Sequence, residues 1–341
     1  MQKYVALHRF LPVFVLLISS LSCGGGGGGD SQTSPSGGSP VVAFGEITGF
    51  GSVFVNGIEF DMSGASVMLD DSPGDETQLR IGMMVRVEGK IDDNDHTTVP
   101  RGQAHRVTYM DDLEGPISDI DYTNRTFVAL GQTVVVSDRT HFEDAAGLDQ
   151  LEVGTIVEVS GMVDANEAIQ ATFVELKKPD FVPGDDEIEV KGTISNLNAD
   201  NTTFELKGLI VDYSNAQLED VPNGELANGM FVEVRSRQGI VDGKLIASEV
   251  EVENKPWGFS DDDMHEGQYA EMEGIVTKFT SSSDFEINGH PVKTTAQTTF
   301  PNGSSAQIAL NVNHLEVEGF LDATGVLVAS WIWFVPGPWD Y

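Results

Sequence analysis

The strongest constraint on this chain is internal repetition, because a segment that recurs in fixed order with its neighbours must fold the same way each time. A valine-rich, charged ribbon appears four times: Val85-Arg86-Val87-Glu88-Gly89, Val157-Glu158-Val159-Ser160-Gly161, Val232-Glu233-Val234-Arg235-Ser236 and Leu315-Glu316-Val317-Glu318-Gly319. Seven residues before three of these ends stands Gly82, Gly154 or Gly229, with Val312 in the fourth copy. Each copy opens around a glycine, at Gly45, Gly115, Gly192 and Gly274. A hairpin follows whose turn glycine (Gly57, Gly131, Gly208 or Gly289) lies 28 to 32 residues before the end of the ribbon. Each copy closes on Ala104 to Tyr109, Ala171 to Leu176, Ala247 to Val252 or Ala329 to Phe334.

Alternation within these segments has the period of strands. Val53, Val55, Ile58 and Phe60 flank Asn56-Gly57, a hairpin signal because both turn residues tolerate positive φ. Ile287, Asn288, Gly289 and Val292 repeat it, with Pro291 better suited to an edge or a bulge. Helical periodicity is weak throughout, and segments such as Asp144 to Leu151 or Val221 to Leu226 have room for a single turn. The fold class predicted is all-β: a tandem array of four small OB-like β-barrel units, with a small sandwich as the alternative architecture. Closure into barrels removes the edges that four open sheets would expose. The units are placed at 41–111, 112–179, 180–256 and 257–341, the last carrying an aromatic tail.

The opening Gly-x-Ile, the Val-Asn-Gly hairpin, the Leu-x-x-Gly-x-x-Val-x-Val-x-Gly stretches at Leu79 to Gly89 and Leu151 to Gly161, and the final Ala-x-x-Val strand together resemble the DUF5666 repeat domains of bacteria. The resemblance spans Phe44 to Phe334 and brings with it no activity or catalytic residue. Members of that family are often lipoproteins with a glycine run after the cysteine.

The N-terminus fits that expectation. Lys3 and Arg9 flank the start of an apolar run, Phe10 to Ile18, which ends in small residues before Cys23. The run is too short to span a bilayer, which takes about 20 residues, and reads as a secretory leader. The pattern resembles lipoprotein signals, with Ser20 where that family usually has leucine; residues 1–23 are assigned as this segment and Cys23 as the lipidation site. Residues 24–40, almost wholly Gly, Ser, Pro, Thr, Gln and Asp, read as a tether lacking the apolar surface to fold. The resulting expectation is a protein of the cell envelope, anchored by lipid to the outer membrane.

Charge narrows the partners. The 54 Asp and Glu residues against 19 Lys and Arg give a formal charge of −35. Nucleic-acid affinity rests on cations that release counterions, so no nucleic-acid partner is expected. A lone cysteine excludes an intrachain disulfide and a cysteine-based metal cluster. The histidines show no metal-binding spacing and read as surface or turn residues. No nucleophile elbow, zinc-binding helix or phosphate loop occurs. The acidic runs Asp92 to Asp95, Asp185 to Glu187 and Asp261 to Asp263 lack the spaced pattern of calcium loops and read as solvated charge, with weak calcium binding the alternative.

In the closing strand, Val107, Val174, Val250 and Ile332 form one inward column, and Tyr109, Leu176, Val252 and Phe334 a second. The opposite face carries mostly polar residues until the last copy, which has Trp331 and Trp333. That pair is the candidate ligand or partner surface, for a sugar ring or a protein. The expectation is a non-enzymatic surface module arranged as a rod or bent string, with no cofactor and no catalytic or metal site. Calcium-dependent adhesion and an enzyme site assembled between two units are the alternatives.

Overall fold

The computed structural model describes residues 38–70, 72–92, 99–253, 265–311 and 314–335. Cys23, most of the first acidic run and the whole of the third, His96 and the tail after Val335 lie outside the described residues. Among the described residues there is no α-helix, only four single 3-10 turns, and so no helix long and apolar enough to cross a membrane. Two of those turns, Leu148–Gln150 and Pro222–Gly224, fall within the segments where the sequence leaves room for one.

Each copy closes into a five-stranded barrel with one strand order: opening strand, two hairpin strands, closing strand, later strand, and back to the opening strand. In the first copy these are Gly38–Gly49, Val53–Val55, Ile58–Asp61, Arg101–Tyr109 and Met84–Asp92. The second hairpin strand runs parallel to the closing strand, Phe60 opposite Gly102, and the other four pairings are antiparallel. This is the Greek-key connectivity of OB-like barrels. The same circuit recurs in copies starting with Leu113–Asp121, Ile188–Asn198 and Tyr269–Ser281. Val53, Val55, Ile58 and Phe60 are all buried, as alternation requires. Pro291 sits in a hairpin strand just before parallel pairing to the closing strand begins at Val292, where its missing N–H leaves that ladder intact. The opening strand begins at Gly38, so the last three residues assigned to the tether pair with Lys90, Ile91 and Asp92.

The recurring glycines are set by close approach. At the end of each ribbon the pairing with the closing strand slips by one residue, between Glu88 and Gly89, Ser160 and Gly161, and Glu318 and Gly319. A Cβ on any of these glycines would lie well under 3.0 Å from the carbonyl oxygen of Gln103, Gln170 or Val328. The third copy has Ser236 there, and its closing strand is broken into Lys244–Ile246 and Glu249–Glu253. The Ser236 hydroxyl donates to the Ile246 carbonyl and accepts from the Gln238 and Gly239 amides, closing the gap. Gly161→Ala is expected to lower the unfolding free energy by about 2–3 kcal/mol, the scale of overpacking a filled site; a denaturant titration reads it.

The barrels do not form a rod or string. The first and fourth share one sheet through parallel pairing of Val41 to Phe44 with Tyr269 to Met272, and the second and third share another through Leu113 and Glu114 against Val190 and Glu189. The cores follow suit. Barrels two and three form one continuous cluster, from Leu113 to Val250. The fourth barrel's cluster takes in Val42, Phe44 and Met84 of the first and Met162 of the second. The first barrel's cluster includes Phe173, which projects from the outer face of the second barrel and is 1% exposed. Phe173→Ala should therefore cost about 3–5 kcal/mol, the range for a buried aromatic, although Phe173 faces away from the interior of its own barrel.

Candidate functional site

The outward faces of the ribbons meet one another, and this places their charges out of water. Lys191, on the third opening strand, has a side chain 7% exposed. Its Nζ lies 2.9 Å from Asp111, 3.3 Å from Glu189, 3.4 Å from Glu233 and 3.7 Å from Asp70. Nearby, the Tyr109 hydroxyl donates to Glu158 Oε1 at 2.5 Å, and Lys177 reaches the other oxygen of Glu158 at 2.6 Å. Burial pushes Asp70 up to about 6 against the pull of Lys191. Asp111 rises well above the carboxylate range, from burial and then from the Glu189 charge. Glu189 is also buried, but Lys191 and a hydrogen bond from Asp111 outweigh burial and hold it low.

Asp70, Asp111 and Glu189 bring carboxylate oxygens within 4.8 Å of one another, and Glu219, Glu249 and Glu251 do the same. The Lys191 ammonium sits among the first three at 2.9–3.7 Å. In the second group Arg235 holds Glu249 at 2.9 Å and Glu251 at 3.7 Å. Both therefore carry an internal counter-ion. The one acidic run fully among the described residues is engaged likewise, Asp186 by Lys178 and Glu187 by Arg237.

A second polar junction joins the first and fourth barrels. His314 Nε2 lies 2.8 Å from Glu273 Oε1, and Glu273 Oε2 accepts the Glu46 amide. Glu46 is pushed up to about 8 by burial and then by the Glu273 charge. Glu273 stays below the ordinary range because His314 outweighs its burial. Two histidines thus depart from the expected surface placement: His290 and His314 are buried, enclosed by packing that sequence spacing does not report.

Where all four barrels converge there is a cavity of about 430 Å3. Phe44, Met84, Met110, Val163 and Phe231 supply apolar wall, and Asp111, Asp112, Lys191 and Lys207 supply polar groups. Burial raises Asp112 to about 6, with Lys207 and the hydrogen bond from the Gly161 amide pulling the other way. Sequence reading missed this site because its walls come from segments more than two hundred residues apart. The available signal was departure from the repeat pattern, since Lys207 stands where two other copies have asparagine.

Trp331 and Trp333 lie elsewhere, half-buried on the outer face of the fourth closing strand. Trp333 Nε1 donates to Glu318 Oε1 at 3.2 Å, and Trp331 is bridged to Thr299. Neither lines the cavity.

A family model described as a domain of unknown function, DUF5666, matches residues 43–99, 114–175, 191–251 and 273–332. Each match falls on one barrel; the last three run from the opening strand into the closing strand, and the first stops at Val99, just before its closing strand Arg101–Tyr109. No curated protein matches the chain. Well over half of the chain is thus matched, in four copies whose glycines and ribbons build the barrels above, and the chain belongs to the DUF5666 family.

Proposed function

We propose that this chain is a non-enzymatic cell-envelope protein, held to the outer membrane by lipid on Cys23, that binds a small ligand where its four barrels meet. The observation that carries the reading is the cavity, whose size falls within the roughly 300–1,000 Å3 of small-molecule sites and whose mixture of apolar wall and a few polar groups is typical of them. A binding role is favoured over catalysis because the titratable groups around it are largely committed to one another. Lys191 is ringed by carboxylates, Tyr109 is tied to Glu158, and Asp112 holds a backbone amide.

The test uses a neutral solvatochromic dye, Nile red, with the mature chain. Saturable binding at one site is expected, with loss in Gly192→Leu. The nearest atoms to a Cβ at Gly192 belong to Leu206, at 3.5 Å, an ordinary van der Waals contact. Binding that survives Gly192→Leu undiminished would remove the cavity from the proposal. For the anchor, the expected result is a diacylglyceryl group on Cys23 by mass spectrometry and release of Cys23→Ala into the soluble fraction; an unmodified, membrane-bound Cys23→Ala protein contradicts it. Trp331 and Trp333 are proposed as a second contact, for a glycan or a protein, to be read by loss of glycan-array binding when both become alanine.

A further inference from the structure

The first residue of the hairpin turn has one job in three of the barrels and a different surrounding in the third. In the first barrel Asn56 folds back and its Nδ2 donates to the Phe44 carbonyl at 2.9 Å. In the fourth, Asn288 Oδ1 accepts the Ile275 amide at 2.8 Å. In the second, Leu130 packs so tightly over Gly115 that a Cβ there would lie 2.5 Å from its Cγ. In each case the side chain covers the opening-strand glycine, which explains why that position is glycine. The third barrel has Lys207, and Gly192 is left uncovered by it; both line the cavity.

Lys207 holds φ 47°, a left-handed conformation that asparagine bears better than lysine. That local cost is not offset by an internal contact. Among the described residues the Lys207 ammonium makes no hydrogen bond and no ion pair. The other lysines of the lining are engaged, Lys191 by four carboxylates and Lys278 by Glu286 at 2.7 Å. Two of the three acids that act on Lys207 are committed as well, and the third, Glu167, is exposed. Asp112 accepts the Gly161 amide at 2.8 Å, and Asp164 accepts the Asn166 and Ala168 amides and the Gln170 side chain. Burial pushes the Lys207 ammonium below the usual lysine range, against the pull of Asp112, Glu167 and Asp164, as expected of a cation short of a direct partner.

We infer that the cavity takes a small organic anion with an apolar body, its acidic head seated against the Lys207 ammonium and its body against Phe44, Met84 and Phe231. The inference rests on the cavity being the binding site. A cationic ligand fits less well, because Asp111, Asp112, Asp164 and Glu286 already hold amides or lysines, which leaves the exposed Glu167, whereas Lys207 is a donor without an acceptor among the described residues.

Decanoate, 1-decanol and decylamine share one body and differ in head group, and calorimetry with the mature chain at pH 7 separates them. Decanoate is expected to bind about tenfold more tightly than decanol, the effect of one charge-assisted contact, and decylamine most weakly. Lys207→Met and Lys207→Asn should each weaken decanoate about tenfold and leave decanol nearly unchanged. The asparagine variant installs the residue two other barrels use at this turn, which keeps the test usable if methionine disturbs folding. Lys244→Gln, in the same barrel with a side chain 42% exposed and outside the cavity lining, should have no effect. Decylamine as the tightest binder, or decanoate affinity indifferent to Lys207, overturns the inference while leaving the cavity as the site. Absence of binding by all three, with Nile red also unbound, removes the cavity reading itself.

Discussion

Lys191→Met is expected to lower the unfolding free energy by about 3–5 kcal/mol at pH 8, because it strips the counter-ion from a buried cluster while the carboxylates remain. Asp111 and Glu233 are almost fully enclosed, with the ammonium 2.9 and 3.4 Å from them. The loss should shrink toward pH 5. Asp70 has been raised to about 6, so it takes up a proton on acidification and the uncompensated charge falls. Urea titrations of both proteins at the two pH values supply the comparison. A midpoint unmoved by the substitution at pH 8 would mean that the junction is open to solvent.

The second large effect is on the whole chain: its melting temperature should rise as pH falls from 8 to about 5. Glu46 is raised to about 8, Glu114 to about 7, and Asp70 and Asp112 to about 6, each first by burial. A carboxyl raised on folding binds its proton more tightly in the native state. Between its unfolded and folded values the native chain therefore holds more protons, and stability declines as pH increases through that window. At about 1.4 kcal/mol per unit, Glu46 alone contributes a decline of roughly 4 kcal/mol. Glu273 and Glu189 work in the opposite sense, since both are held below the ordinary range and their contribution is lost as pH drops beneath it. A maximum near pH 5 follows. Glu46→Gln, which imitates the protonated form, should stabilise the chain at pH 8 and change little at pH 5. A melting temperature that climbs from pH 5 to pH 8 would contradict the buried placement of these groups.

What could be read from the sequence was what each barrel needs for itself. The Val-x-Val ribbons, the hairpin turns and the glycines all answer to contacts within one copy, so they recur and announce the unit. The packing of one copy on another was not legible, for a definite reason. Alternation says which side chains leave the barrel, but not whether a second barrel covers them. Glu158 and Glu233 in Val-Glu-Val, and Glu316 in Leu-Glu-Val, occupy the outward position of an alternating pattern that reads as solvent-facing, yet all three are buried. Some of the cations that meet such buried acids arrive from afar, as Lys191 does to Asp111 across 80 positions of chain. Phe173, on the outward side of its own closing strand, is part of a neighbour's core. Lys207 becomes conspicuous only when the four turns are laid beside one another, because a lysine in a turn is unremarkable until its counterparts are asparagine, leucine and asparagine.

These points rest on the four barrels closing around common junctions instead of following one another in a line. Small-angle scattering from a soluble form beginning at Gly38 tests that most directly. A compact body of about 300 residues should give a radius of gyration of roughly 19 Å and a single symmetric peak of interatomic distances. A radius half as large again, with the long tail of a rod, would contradict it.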